Sequence, residues 1–500
     1  MSQGGQNICS PKIRPRDTLG VPEPAAGSEA MEPSCRGYAP ADPPLACRSV
    51  ENGRSTANTA KLERTAGGPT GAQSAGADAR HRLRAALALD DIGLSGVAAI
   101  VLSRLLVLAS GLVGALAVSR RHGWQAFDVH RMSDSLGKVG NAIGATSVRW
   151  DSIHYLYIAQ SGYKEKQDTV FFPFYPLLIK LVGAVLRSDV IAGVLISIVA
   201  FTCAIVLLQR LTRAELGPRA ATATIWLLAF APMSLFFTAI YTESLFLALS
   251  IGAFYLARRE RWLSACLLAG LAALTRVPGV LLTIPLGVLY WQSISSDLPA
   301  DLTPARRVVR VLRLARGQVL VALTLPTAAL LCFLIYMQRR GFGWSAPIKN
   351  QTGHAHQHTF AGPLWTLIHG FTDGFGGLAH IISGSAPICA RLNAGLSNSA
   401  ENFLLLVILL ICIASLVLSW KRLPKAYTIY AVLILVECLW SPVTYRPLMS
   451  LDRYSLVIFP LWMVAADWIS QRRLLTPAVA VSAALLSLFS VCIAAWAFVA

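Results

Sequence analysis

The sequence predicts an all-α, polytopic membrane protein with about 11 transmembrane helices of some 20 residues each. Three observations predict it. Of 500 residues, 55% are hydrophobic and 14% charged, with a mean hydropathy of +0.55, whereas a soluble domain carries roughly 25% charged residues. Apolar runs long enough to cross a bilayer recur from about residue 94 onward. The net charge of +18 is not gathered into one patch; arginines recur between apolar runs. That is the loop asymmetry of a membrane protein, and it argues against a nucleic-acid partner.

Residues 1–90 come first. They are rich in Gly, Ala, Pro, Ser and Thr, carry charges of both signs and lack apolar periodicity. They read as a disordered cytoplasmic tail. No short apolar core with a small-residue cleavage site opens the chain, so a cleaved signal peptide is not expected. Residues 91–500 then form one multi-pass domain. The ten cysteines are scattered through tail, apolar runs and one loop. No pair has zinc-ligand or redox-motif spacing, so they read as small buried residues.

Spans are predicted near 94–118, 190–210, 220–238, 240–257, 262–275, 277–291, 317–337, 402–420, 426–441, 453–469 and 475–498. The run 172–186 is apolar but holds Pro173, Pro176 and Lys180. It reads as an interfacial or re-entrant helix. With the N-terminus in the cytoplasm, the inner loops hold Arg210, Arg213 and Arg219; Arg258, Arg259 and Arg261; Arg306 through Arg316; Lys421, Arg422 and Lys425; and Arg472 and Arg473. The short outer loops hold Arg276, Arg446 and Arg453. This satisfies the positive-inside rule, and a full crossing at 172–186 would break it. The stretch 306–316 spaces arginines along Val and Leu, as in an amphipathic helix on the cytoplasmic surface. Two long loops, 119–189 and 338–401, then lie outside. Arg120, Arg121, Arg131, Lys138, Lys164 and Lys166 in the first of them run against the local charge asymmetry.

The unusual polar motifs all fall on that outer side. The densest is Arg149-Trp150-Asp151-Ser152-Ile153-His154-Tyr155, followed by Gly162-Tyr163 and Phe171-Phe172-Pro173-Phe174-Tyr175-Pro176. On a helical turn, Asp151, His154 and Tyr155 share a face. Asp151 reads either as a general base or as a solvated carboxylate paired with Arg149. His154 either positions substrate or assists Asp151 in catalysis, or it is an interfacial polar residue. Trp150 and its aromatic neighbours suit sugar stacking, and equally suit partition to the interface. Glu243, after Tyr241-Thr242, either binds substrate, or is a second acid beside Asp151, or is a carboxylate favoured by a helix N-terminus. Arg276, in Thr275-Arg276-Val277-Pro278-Gly279, and Arg446, Arg453 and Tyr454 near the last outer loop suit a grip on phosphate. Snorkelling to the interface is the alternative for the arginines. Arg104 lies well inside the first apolar run, where a charge is paired, functional or snorkelling. His354, His356 and His358 would share one face of a strand, but no carboxylate or cysteine accompanies them, so a metal is not indicated. Asn350-Gln351-Thr352 matches the N-glycosylation pattern.

These motifs resemble a known family. Trp150-Asp151, His154-Tyr155, Gly162-Tyr163, Phe171-Phe172-Pro173 and Tyr175-Pro176-Leu177 resemble the first luminal loop of the PIG-V mannosyltransferases, the family of GPI mannosyltransferase 2 and its bacterial relatives. Ala231-Pro232, Phe236 and Tyr241-Thr242-Glu243-Ser244-Leu245-Phe246 look like its second block. Thr275-Arg276-Val277-Pro278-Gly279 resembles the third, where members tend to have Arg-Ser-Asn-Gly; Val277 and Pro278 replace the polar pair here. Arg453-Tyr454 with Phe459-Pro460 is similar to the last block of the bacterial relatives, and Arg104 has a counterpart in the first span. The resemblance covers about 100–290 well and the 1–90 tail not at all.

It implies the C-type glycosyltransferase architecture, with a large first extracytoplasmic loop. It implies a polyprenyl- or dolichyl-phosphate mannose donor. The acceptor, a glycan, a glycolipid or a protein, is not given by the sequence; no cofactor is expected and a divalent metal is not indicated. It makes Asp151 the matching catalytic base, with transfer by inversion. The expected location is a bacterial inner membrane or an endoplasmic reticulum membrane. The rival readings are a lipid-linked sugar flippase and a C-type enzyme for another sugar. No internal repeat supports the transporter.

Overall fold

Each of the eleven apolar segments is helical over most of its length in a computed structural model, which describes residues 93–299, 301–352, 359–443 and 446–499. The 1–90 tail, the three alternating histidines and Tyr445 lie outside the described residues.

The chain opens with α1 (Gly93–Ala117), 3-10 turns at Trp124–Phe127 and Met132–Asp134, α2 (Gly137–Ile143) and α3 (Asp151–Ser161). A 3-10 turn at Lys166–Val170 leads to α4 (Phe174–Leu186), α5 (Asp189–Leu216) and α6 (Pro218–Ala229). After a 3-10 turn at Ser234–Phe237 come α7 (Glu243–Arg258) and α8 (Trp262–Ala273), then a 3-10 turn at Val277–Leu282 running into α9 (Thr283–Ser295). Next are α10 (Pro304–Leu314), α11 (Gly317–Ala322), α12 (Leu325–Arg339), α13 (Ala346–Lys349) and α14 (Pro363–Ile382). A small antiparallel hairpin pairs β1 (Cys389–Arg391) with β2 (Gly395–Leu396), Cys389 opposite Leu396. The chain closes with α15 (Asn398–Arg422), α16 (Lys425–Trp440), α17 (Leu451–Tyr454), α18 (Phe459–Gln471) and α19 (Leu475–Ala494).

Among the described residues, six helical segments are long and apolar enough to cross a membrane: Gly93–Ala117, Asp189–Leu216, Val277–Ser295, Gly317–Arg339, Asn398–Arg422 and Leu475–Ala494. The other five segments are short or broken. Pro232 lacks a backbone donor and interrupts the segment after α6. Pro460 does the same where α17 gives way to α18. The gap after α6 is closed by Arg104 of α1. Its Nη1 donates to Ser234 O (2.7 Å) and Thr238 Oγ1 (2.9 Å), and its Nη2 to Ala229 O (3.0 Å) and Ser234 Oγ (2.9 Å). A broken helix persists in an apolar layer only when its freed carbonyls find such donors.

The centre of the bundle is α7. Its sequence is apolar nearly all round, the pattern of a helix buried on every face, and it packs between α5 and α8. Phe254 meets Tyr427 and Tyr430 of α16 and Phe459 of α18 at 5.0–5.4 Å between ring centroids.

Helices α4, α10 and α14 are among those that carry apolar residues on an open face. In α4, Tyr175, Ile179 and Gly183 are buried, while Leu177, Leu181 and Val185 are exposed four residues apart. At 13 residues it is too short for a full crossing, in keeping with the interfacial reading. In α14, Thr366, Gly370, Gly374 and Gly377 face the protein, and Leu364, Ile368, Phe375 and Ile382 face outward. A Cβ on Gly377 would collide with Ser399 O of α15. The sequence reading had this helix only as loop. In α10, Val311 is buried while Val308 and Leu312 are exposed. The glycosylation-type Asn350 uses its amide internally, donating to Lys166 O and Thr169 Oγ1, both at 2.8 Å.

Candidate functional site

Four separate stretches bring charged side chains to one end of α7. Asp151 opens α3, as a carboxylate in the first turn favours the exposed N–H groups there. Glu243 opens α7 in the same way. Arg276 follows α8, in a turn so tight that a Cβ on Gly279 would collide with the backbone of Ala272 and Ala273. Arg453 sits on α17, just after Ser450 takes a left-handed φ of 66°.

These four residues form a chain of alternating charge. Asp151 Oδ2 receives Arg453 Nη1 at 2.9 Å. Arg453 Nε lies 3.5 Å from Glu243 Oε1, which also receives Arg276 Nη1 at 2.9 Å. Aromatic rings close it in. The Arg276 guanidinium lies 4.7 Å from the Tyr454 ring, and that of Arg453 lies 5.0 Å from Tyr454 and 5.5 Å from Tyr241 and Phe236. The Arg453 Nη2 also donates to the Tyr454 hydroxyl (3.2 Å). Tyr241 ties in the first stretch: its hydroxyl accepts from the Asp151 N–H (3.2 Å) and donates to Arg149 O (3.1 Å).

Exposure separates the two acids. The Asp151 side chain is 34% exposed and that of Glu243 only 2%. Glu243 Oε2 is buried and accepts no hydrogen bond among the described residues. So Glu243 is placed to hold two guanidiniums, and Asp151 to meet a molecule entering from solvent. Two cations facing two carboxylates can receive a phosphate while one carboxylate handles a proton.

The structure therefore brings together Asp151, Tyr241, Glu243, Arg276, Arg453 and Tyr454, and gives the other candidates other partners. His154 turns away from Asp151 towards Asp168: its Nδ1 lies 3.2 Å from Asp168 Oδ1, and its ring stacks on Phe171. Asp151 pairs with Arg453, 302 positions away in the chain, and not with its neighbour Arg149. Arg149 is buried, donating to Val148 O and Ala494 O. The Trp150 indole donates to Ala497 O. Arg446 is held by Glu401 (2.7 Å) and by Asn398.

Sequence reasoning missed Asp168 and Glu401 and gave Asp452 no role of its own. Asp168 caps the 3-10 turn after α3, and no local motif announces a partner for His154. Asp452 is adjacent to Arg453 and was visible, but its burial was not. Among the described residues no cluster of three or more His, Cys, Asp or Glu is arranged to hold a metal ion.

Comparison with known proteins bears on the same region. Residues 97–343 match the family model described as Mannosyltransferase (PIG-V). GPI alpha-1,6-mannosyltransferase 2 of Rattus norvegicus is 29% identical over 172 residues, covering 32% of this chain and 35% of the relative. GPI mannosyltransferase 2 of Cryptococcus neoformans var. neoformans serotype D is 29% identical over 153 residues, covering 28% of this chain and 36% of the relative. The matched part therefore spans only 35–36% of the length of these curated relatives. Among solved structures, ArnT from Cupriavidus metallidurans bound to undecaprenyl phosphate is 15% identical, with a TM-score of 0.33 and coverage of 79% of this chain and 76% of that one.

Proposed function

Because residues 97–343 match the family model described as Mannosyltransferase (PIG-V), we propose that the chain is a multi-pass membrane enzyme transferring mannose from a polyprenyl- or dolichyl-phosphate donor to an acceptor hydroxyl. The acceptor is a glycan, a glycolipid or a protein, and the reaction takes place on the extracytoplasmic side. The observation that carries this reading is the Asp151–Arg453–Glu243–Arg276 chain, with its one solvent-facing carboxylate.

In this reading Asp151 takes the proton of the acceptor hydroxyl. The oxygen attacks the anomeric carbon opposite the phosphate, the carbon–oxygen bond to the phosphate breaks, and the anomeric centre inverts. The transition state has oxocarbenium character. Arg453 couples the two halves of the step. As Asp151 becomes neutral, Arg453 loses one of its two counter-charges while negative charge grows on the leaving phosphate. A fixed guanidinium then stabilises that phosphate without reorganising. Arg276 supplies the second cation, and Glu243 keeps both in place. These guanidiniums provide the positive charge the step requires, so the reading assigns no cofactor.

The test is release of lipid phosphate from synthetic polyprenyl-phosphate mannose by purified protein in lipid. Asp151→Asn is expected to lose at least about 100-fold in turnover while still binding donor, the usual scale for a lost general base. Equal turnover in both proteins removes Asp151 as the base. Donor movement across the bilayer without sugar transfer would put a flippase in its place.

A further inference from the structure

Trp150, the residue before Asp151, has φ 55° and ψ −121°. This is backbone space that glycine enters freely and an L side chain avoids. A large residue stays there only if its surroundings over-determine it, and such strain gathers at functional sites.

The segment that follows α19 supplies the restraint. The Trp150 Nε1 donates to Ala497 O (3.2 Å). Its ring meets Phe127 at 4.6 Å, Phe498 at 5.2 Å and Trp496 at 6.1 Å. Trp496 is fully buried, packs on Trp124 and lies 4.8 Å below the Arg149 guanidinium. The segment is itself pinned to the first part of the chain: Arg121 N donates to Ala495 O (2.8 Å), and Arg149 Nη2 to Ala494 O (3.2 Å). From the other side, the Tyr241 hydroxyl bridges the Asp151 N–H and Arg149 O across Trp150.

We propose that Trp496 and Phe498 are positioning residues: they lock Trp150 in its left-handed backbone and so set where the Asp151 carboxylate stands against Arg453. The purpose assigned to the lock rests on the reading of Asp151 as the base; the lock itself does not.

Trp150→Gly and Trp150→Ala decide it, because both delete the indole and only alanine resists the backbone conformation. With polyprenyl-phosphate mannose as donor, kcat of the alanine variant is expected about tenfold below that of the glycine variant, at equal KM and with a lower thermal midpoint. Trp496→Ala, which loosens the lock but leaves Trp150, is expected to lose about tenfold in kcat, and adding Trp150→Gly recovers most of that loss. Phe498→Ala serves as the loosening variant if Trp496→Ala does not fold. Glycine and alanine variants alike in kcat and midpoint would overturn the proposal, since the indole alone would then matter. Undiminished turnover in Asp151→Asn sinks the base reading instead. The glycine-over-alanine difference in midpoint needs no turnover, and it still decides whether the fold demands that backbone conformation at residue 150; a midpoint lowered by Trp496→Ala and restored by adding Trp150→Gly decides whether the segment after α19 is the lock.

Discussion

Asp452 shows how much a single carboxyl depends on its surroundings. Its neighbour Arg453 is in the charged chain of the site, yet Asp452 is buried, and its Oδ1 accepts only the Arg453 backbone N–H (2.8 Å) among the bonds described. Burial pushes this carboxyl from an ordinary 3.8 up to about 7, with Glu401 adding to the rise and the Arg453 N–H opposing it. The folded protein therefore holds this proton more tightly than the unfolded chain. The stability that this group contributes is fully present below about pH 4, is lost as pH rises through about 7 and then levels. Asp452→Asn should flatten that slope. A thermal midpoint followed from pH 4 to 8 checks it, and an unchanged slope in the variant would assign the effect to another group. The same scale shows what local sequence hides. Asp151, Glu243, Arg276 and Arg453 each stood out as polar residues in apolar surroundings. Their pairing did not, because the local partner Arg149 was nearer in sequence and is turned into the core.

At the scale of elements, apolar runs and prolines made the helices readable, and all eleven segments are helical. The breaks were less readable. Pro232 announces an interruption after α6, but nothing in that stretch tells that a guanidinium from α1, well over 100 positions earlier, closes the gap. Arg104→Leu should cost roughly 1–3 kcal/mol, the scale of a buried acceptor left without its donor. Unfolding in detergent measures it, and a midpoint equal to wild type would mean that the gap repairs itself. The α14 helix was missed for a different reason. Its inward face is built from glycines, which lower its hydropathy while allowing close approach to α15.

Across the whole molecule, charge and hydropathy were enough to identify a membrane protein, and the motif blocks were enough to point to the family whose model matches residues 97–343. They could not weigh the fastenings at the end remote from the site. There Glu215 of α5 accepts from Arg258 Nε of α7 (2.7 Å) and from the Tyr427 hydroxyl of α16 (2.9 Å), joining three helices around a buried carboxylate. Glu215→Gln leaves Arg258 without a counter-charge and should destabilise by about 3–5 kcal/mol. Because the site lies at the other end of α7, KM should not change in protein that remains folded. A raised KM at full stability would show that the two ends are coupled.

Those two ends are close together. From Glu243 to Arg258 the central helix has 16 residues, a rise of about 24 Å, against roughly 30 Å of hydrocarbon in an ordinary bilayer. In the proposed enzyme, a strut that short would set the charged cluster below the level of the lipid headgroups. The proposed isoprenoid-linked donor would then meet the acids without being lifted from its leaflet. Bilayer thickness would become a governor of the proposed reaction, because every ångström of mismatch must be absorbed by tilt or by a local dimple in the lipid.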